Sequence, residues 1–364
     1  MAENLREELV RLTDELVRFP STDQHPDQLQ AVIDYAERYV RAISGVFIHK
    51  DIHNEKPYLI ATLHDTRHPA VMLNAHLDVV PGRTEQFTPE VRDGRMYARA
   101  SQDMKGSGAV LLRLLKDLAV LDERPDVGFM FVSDEEIGGE DGTGFLAREG
   151  WGCDFFLAAE PTDLNICYAH KGAVWIDVRL PGVTAHGSRP WIGKNALLDL
   201  RDGLQALERL YPSPAQEEWR TTVTPTRVQG GDAGNRLADS VTLTLDVRFV
   251  PEEKPEDIFA AIKSCFPTAE ITPFRSGVPL DTNPDDPAVR HLAACVEATT
   301  GSAPGFYREH FSTDARFYSE LGIPAVCLGP IGKGLHSDEE WVDIASLEQL
   351  HAILNRFVLE YNDR

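Results

Sequence analysis

The chain is poor in cysteine, in positive charge and in long apolar runs, and each shortage excludes something. Its five cysteines, Cys153, Cys167, Cys265, Cys295 and Cys327, are scattered and form no CxxC pair. That pattern excludes a disulfide framework and a thiolate zinc knuckle. Lys and Arg number 36 against 58 Asp and Glu, a net charge of −22. Nucleic acid needs a basic footprint and none is visible; an anionic membrane surface is disfavoured on the same ground. No apolar stretch reaches the ~20 residues of a membrane-spanning helix. The opening Met1-Ala2-Glu3-Asn4-Leu5-Arg6 lacks the basic start and apolar core of a signal peptide. It reads as the first turn of an amphipathic helix running to about Arg18, and the expected location is the cytoplasm.

What remains is an ordinary globular composition, 42% hydrophobic and 26% charged over 364 residues, a length that predicts two domains. Up to about residue 165, helical patterns (3–18, 27–44, 106–120, 141–149) alternate with strand patterns (46–54, 58–64, 70–76, 126–133, 154–159). This is an α/β signature, and the short, fully apolar strands predict a mostly parallel central sheet flanked by helices. From about Lys171 the pattern changes to strict alternation: Val174, Ile176, Val178 and Leu180, then Val241, Leu243, Leu245, Val247 and Phe249. Alternation predicts a sheet with one wet face. The order strand 172–181, helix 194–210, strands 221–229 and 240–250, helix 255–265, strand 268–275 is the ferredoxin-like β-α-β-β-α-β arrangement. A buried run at 324–328 and a final helix near 344–361 return to the first pattern. The expected organisation is therefore a discontinuous domain, 1–170 and 279–364, interrupted by an inserted domain, 171–278.

Three apolar runs of the first domain end in metal-capable residues. Val71–Ala75 leads into His76-Leu77-Asp78, Val127–Ser133 into Asp134-Glu135-Glu136, and Phe155–Ala159 into Glu160. Ligands of open α/β sheets bind beyond the carboxyl ends of such strands. Residues two apart on an extended segment share a face, so His76 and Asp78 can point the same way, the carboxylate orienting the imidazole. Adjacent Glu135 and Glu136 diverge, so one can hold a metal while the other faces substrate as a base. Taken singly, each has an ordinary structural explanation: Asp103 as a helix cap, the glutamate pair as a solvated turn, Glu160 as a strand end, His336 as a loop histidine. Taken together, imidazoles and carboxylates without a thiolate suit zinc, cobalt or manganese at a hydrolytic site, and two such ions share a bridging carboxylate and water when ~3.5–4 Å apart.

Five segments carry a resemblance. They are His76-Leu77-Asp78-Val79-Val80-Pro81, Asp103-Met104-Lys105-Gly106, Asp134-Glu135-Glu136-Ile137-Gly138-Gly139, Ala159-Glu160-Pro161-Thr162 and His336-Ser337-Asp338-Glu339. In this order they resemble the co-catalytic zinc aminoacylase/carboxypeptidase family, which includes acetylornithine deacetylase, succinyl-diaminopimelate desuccinylase, glutamate carboxypeptidase and several dipeptidases. The resemblance implies that His76 and Glu160 bind one zinc, Glu136 and His336 a second, and Asp103 both, with Asp78 steadying His76. It makes Glu135 the general base acting on a metal-activated bridging water. It further implies that the inserted domain dimerises or acts as a lid, with His186 reaching the partner's site to stabilise the oxyanion. Asn235, Arg248 and Thr313 are similar to substrate contacts of the family. Where relatives carry a glycine-containing stretch before Asp103, this chain reads Tyr97-Ala98-Arg99-Ala100-Ser101-Gln102. The implied function is cleavage of the amide bond of an N-acyl amino acid, of the deacetylase or desuccinylase type, by a homodimer. A dipeptidase or carboxypeptidase with the same dizinc chemistry is the alternative. A catalytically dead metal- or amino-acid-binding homologue is a third reading, opposed by Glu135 and the full ligand set.

Overall fold

The computed structural model describes residues 4–362, which divide into two compact units: residues 4–169, 280–307 and 313–362, and residues 170–279 with 308–312.

The larger unit is built on a nine-stranded mixed sheet. Its centre is parallel: Val127–Val132, Val71–His76, Phe155–Ala158 and Ala325–Cys327 lie side by side in that order. The hairpin Phe47–His53/Lys56–Thr62 adds antiparallel strands on one side and Ile166–His170 on the other. Every residue of Val71–His76, Val127–Val132 and Phe155–Ala158 is buried, and the pleat sorts them onto two cores. Val71, Leu73, Ala75, Phe129, Phe131, Phe155 and Leu157 enter one, with helices Leu5–Val17, Gly106–Ala119, Pro287–Thr300 and Ile344–Asn362. Met72, Met130, Val132, Phe156 and Ala158 enter the other, where Phe156 stacks on Tyr318 with ring centres 3.9 Å apart. Two buried faces explain why these segments are continuous apolar runs. The first helix begins with a capping box between Asn4 and Glu7. It buries Glu8, whose carboxylate accepts from Arg113 (2.7 Å), Lys116 (2.8 Å) and the Tyr39 hydroxyl (2.8 Å).

In the smaller unit the sheet order is Thr222–Gly230, Ser240–Phe249, Gly172–Pro181, Glu270–Gly277, antiparallel throughout. With helices Ala196–Leu210 and Pro255–Cys265 between strands, this is the ferredoxin-like topology. The inward residues Val174, Ile176, Val178, Val241, Leu243, Leu245 and Val247 meet Leu200, Leu207, Ile258 and Ile262 from the helices. The Phe266 ring lies so close to Gly203 that a side chain there would start 2.0 Å from it, which fixes glycine in mid-helix. The outer strands Thr222–Gly230 and Glu270–Gly277 each shift register once, at Pro225/Arg227 and Pro273/Arg275, where proline removes a ladder donor.

Among the described residues no helix is long and apolar enough to cross a membrane.

Candidate metal centre

The carboxyl ends of the parallel strands deliver the central side chains. His76 closes Val71–His76, Glu135 and Glu136 follow Val127–Val132, and Glu160 follows Phe155–Ala158. Asp103 lies on the irregular turn before helix Gly106–Ala119, and His336 on a loop where its own φ is +58°. The Asp103 carboxylate faces both imidazoles: its Oδ1 is 3.2 Å from His76 Nε2 and its Oδ2 3.2 Å from His336 Nε2. Glu136 Oε2 lies 3.3 Å from that same His336 nitrogen. Ligand atoms of His76, Asp103 and Glu136 all fall within 4.8 Å of one another, as do those of His76, Glu135 and Glu160. On the far side of the ring, His76 Nδ1 is 3.1 Å from the Asp78 carbonyl oxygen and 3.4 Å from its carboxylate, whose other oxygen accepts from the Glu136 N–H at 3.0 Å. Asp78 thus fixes both the ring and the turn bearing the glutamates.

The electrostatics are unbalanced. Burial pushes Glu135 and Glu160 well above the usual carboxylate range and raises Glu136, with neighbouring acids adding to all three. Burial opposes charge on His76, but its bonds to Asp103 and Asp78 outweigh it and lift the imidazole well above its ordinary value. Bonds to Asp103 and Glu136 push His336 up to about 10. Asp103 is largely buried too, yet the two histidines hold it far below the carboxylate range. Glu136 Oε1 and Glu160 Oε1 are buried without a hydrogen-bond partner among the described residues, an expensive arrangement for a charged oxygen. Imidazoles, carboxylates and orphaned oxygens fit divalent Zn²⁺, Co²⁺ or Mn²⁺.

Residues 72–360 match the family described as Peptidase family M20/M25/M40. The chain belongs to that family. It is accordingly a hydrolase of amide or peptide bonds. Succinyl-diaminopimelate desuccinylase of Variovorax paradoxus (strain S110) is 26% identical over 381 residues, covering 95% of this chain and 96% of that protein. Acetylornithine deacetylase of Yersinia pseudotuberculosis (serotype O:1b, strain IP 31758) is 26% identical over 309 residues, with 80% and 79% covered. A tripeptidase from Staphylococcus aureus shares the fold, with a TM-score of 0.81 at 21% identity over 99% of each chain.

In this M20 centre two supporting residues, Glu340 and Lys105, escaped the sequence reading, and a third, Asp314, entered it only as the neighbour of Thr313 in a segment resembling a substrate-pocket loop. Glu340 is 3% exposed and grips the Asp103 turn: one oxygen accepts from the N–H groups of Gln102 and Asp103, the other from Ala100 N–H and the Arg99 guanidinium, all at 3.0–3.1 Å. Within Asp338-Glu339-Glu340 it reads as one acid of a solvated run. Lys105 is fully buried, its pKa pulled down to about 7 by burial, and donates to Phe19 O (2.6 Å) and Ser21 Oγ (2.8 Å). Ser21 in turn bonds the Leu77 carbonyl and the Val79 N–H, which holds the His76-Leu77-Asp78 backbone in place. Asp314, raised to about 6 chiefly by burial, accepts from Thr143 Oγ1 at 2.5 Å. A Cβ on Gly139 (φ +64°) would sit 2.0 Å from Asp314 Oδ1, so the glycine pair after Glu136 lets the loop pass this acid. Its neighbour Thr313 is buried, with its hydroxyl 3.3 Å from Cys327 Sγ.

The remaining expected site residues belong to the smaller unit. His186 and Asn235 are exposed and adjacent, joined by the bond from Gly187 N–H to the Asn235 carbonyl (2.7 Å); His186 Nδ1 is 2.8 Å from Ser188 Oγ. The Arg248 guanidinium donates to Asp246 (2.8 Å) and lies 4.7 Å from the Trp175 ring centre.

Proposed function

We propose that this M20 hydrolase is a dizinc enzyme that cleaves the amide bond of an N-acyl amino acid, as a cytoplasmic homodimer. The observation that carries the reading is Asp103, one oxygen beside each imidazole: that is the disposition of a carboxylate shared by two ions. His76 and Glu160 would hold one ion, and Glu136 and His336 the other. Two such ions supply Lewis acidity, acidifying a water and polarising the scissile carbonyl. The chain's own residues do the rest. Asp78 keeps the His76 ring oriented. Glu135, on the same turn as Glu136, takes a proton from the attacking water and hands it to the leaving amine; its elevated pKa favours holding that proton between the two transfers.

The desuccinylase and deacetylase relatives support the acyl amino acid as substrate class. His186 is proposed to stabilise the oxyanion in a partner subunit. Trp191 (77% exposed) and Ile192 (63%) follow it in sequence and form an apolar patch that a second copy would cover. Asn235, Arg248 and Thr313 are proposed substrate contacts; Arg248 offers a guanidinium fork suited to a carboxylate. Five buried cysteines, none of them in a disulfide, fit a reducing compartment.

The deciding experiment is a panel of N-acetyl, N-succinyl and N-formyl amino acids beside di- and tripeptides, with Zn²⁺, Co²⁺ or Mn²⁺ supplied and a chelated control. Metal-dependent turnover of one acyl amino acid above all peptides is expected. Preference for peptides would move the chain to the peptidase branch, and no metal-dependent turnover of either would overturn the reading.

A further inference from the structure

A second cluster of metal-capable side chains lies on the helical layer of the larger unit and shares no residue with the central one. His291 and Cys295 are four apart on helix Pro287–Thr300, hence on one face. Glu360 meets them from the last turns of helix Ile344–Asn362, one of the helices sharing that core. His291 Nε2 and Glu360 Oε2 are 3.6 Å apart, Cys295 Sγ and His291 Nε2 3.7 Å, and Cys295 Sγ and Glu360 Oε2 3.9 Å. Ligand atoms of a tetrahedral zinc with one nitrogen, one sulfur and one oxygen stand about 3.4–3.6 Å apart. The three atoms therefore form a near-equilateral face that closes around an ion after a shift of a few tenths of an ångström.

The surroundings have the features of a binding site. Cys295 is 1% exposed, whereas the Glu360 side chain is 41% exposed, so the face is rooted in the core and open to solvent on one side. Arg356 donates to Glu360 Oε1 at 2.7 Å, which steers the other oxygen toward the histidine and cysteine. Phe357 lies 5.6 Å from the His291 ring and limits its rotation.

We propose that His291, Cys295 and Glu360 bind a borderline divalent transition-metal ion, Zn²⁺ or one like it, through one imidazole, one thiolate and one carboxylate, with water as fourth ligand. The sulfur disfavours Mg²⁺ and Ca²⁺. Binding replaces the S–H bond by a sulfur–metal bond, and the thiol proton passes to solvent. The ion ties the final helix to Pro287–Thr300.

The test uses the full chain, stripped with a chelator and titrated with Co²⁺. The central group contains no thiol, so thiolate-to-cobalt charge transfer in the near ultraviolet reports on Cys295. The band is expected in the wild type and absent in Cys295→Ala, which should also retain one metal equivalent fewer by elemental analysis. Glu360→Gln, at a partly exposed position that tolerates change, is expected to weaken cobalt binding read by the same band at least tenfold. No band in the wild type, an intact band in Cys295→Ala, or unchanged affinity in Glu360→Gln overturns the proposal. None of these readouts involves turnover, so they stand whatever the central site cleaves.

Discussion

Two groups of buried carboxylates in the larger unit are treated in opposite ways. Glu8 is enclosed by Arg113, Lys116 and the Tyr39 hydroxyl; burial alone would raise its pKa, and these partners pull it below the ordinary glutamate value. Glu135, Glu136 and Glu160 gather around two histidines that Asp103 already engages, and burial drives all three upward. The same polypeptide can neutralise a buried acid from its own side chains, and at the ends of its parallel strands it does not. The central acids have only the two imidazoles to offset them, which fits the proposal that a bound metal ion supplies the rest of their balancing charge.

The largest expected effect falls on Glu135. Glu135→Gln removes the proposed proton carrier and leaves the proposed ligand atoms of His76, Asp103, Glu136, Glu160 and His336 untouched. Turnover is expected to fall by about a thousandfold or more while bound metal, measured by elemental analysis, is unchanged. Near-normal turnover would remove Glu135 as the base.

Next comes the dependence on pH. Folded-state values raised by burial, as for Glu135, Glu136, Glu160, Asp134 (about 8) and Asp314 (about 6), mean that folding takes up protons. Asp103 and Glu8, held low, work the other way only below this range, and Lys105, lowered to about 7, opposes the trend only near its upper end. The melting temperature of the chelated protein is therefore expected to drop as pH rises from about 5 to about 8. Saturating Zn²⁺, which competes with those protons, is expected to flatten or reverse the trend, adding about 4 kcal/mol of stability at a thousandfold excess over its dissociation constant. A chelated protein that gains stability over this range would refute the contrast.

Smallest is the change at the satisfied cluster. Glu8→Gln is expected to cost about 2 kcal/mol in urea unfolding, since Arg113 and Lys116 lose their counter-charge but are themselves partly exposed. A depressed pKa makes this stabilisation fully present above the ordinary value of 4.5 and lost as pH falls through the folded value, so the difference from wild type should vanish in acid. A loss that persists there would point to packing.

The sheet's centre was legible because strands buried on both faces cannot alternate: Val71–His76, Val127–Val132 and Phe155–Ala158 announce themselves as unbroken apolar runs, and their ends mark where ligands gather. The inserted sheet was legible for the complementary reason, one wet face. Helix Pro287–Thr300 went unread despite its Asp286 cap and Pro287, as did the two- and three-residue strands Gly332–Lys333 and Trp341–Asp343, too short to show a period. In the centre the side chains that touch one another carried recognisable types and spacing. Glu340 and Lys105 did not, because what they hold is backbone: the Asp103 turn in one case, Phe19 O and the Ser21 that bonds Leu77 in the other. Nothing in a residue's identity says which main-chain groups it will meet.

The proposed ligands are unevenly spaced along the chain. His76, Asp103, Glu136 and Glu160 lie in the first 160 residues, whereas His336 follows 176 residues after Glu160, once the whole inserted sheet has been written. At ~5–20 residues per second of synthesis, roughly ten to thirty-five seconds separate the two. A growing chain thus presents an incomplete acidic cradle to the metal pool until His336 has been made. If the five residues hold metal as proposed, the order of synthesis defers loading until the inserted sheet has been made.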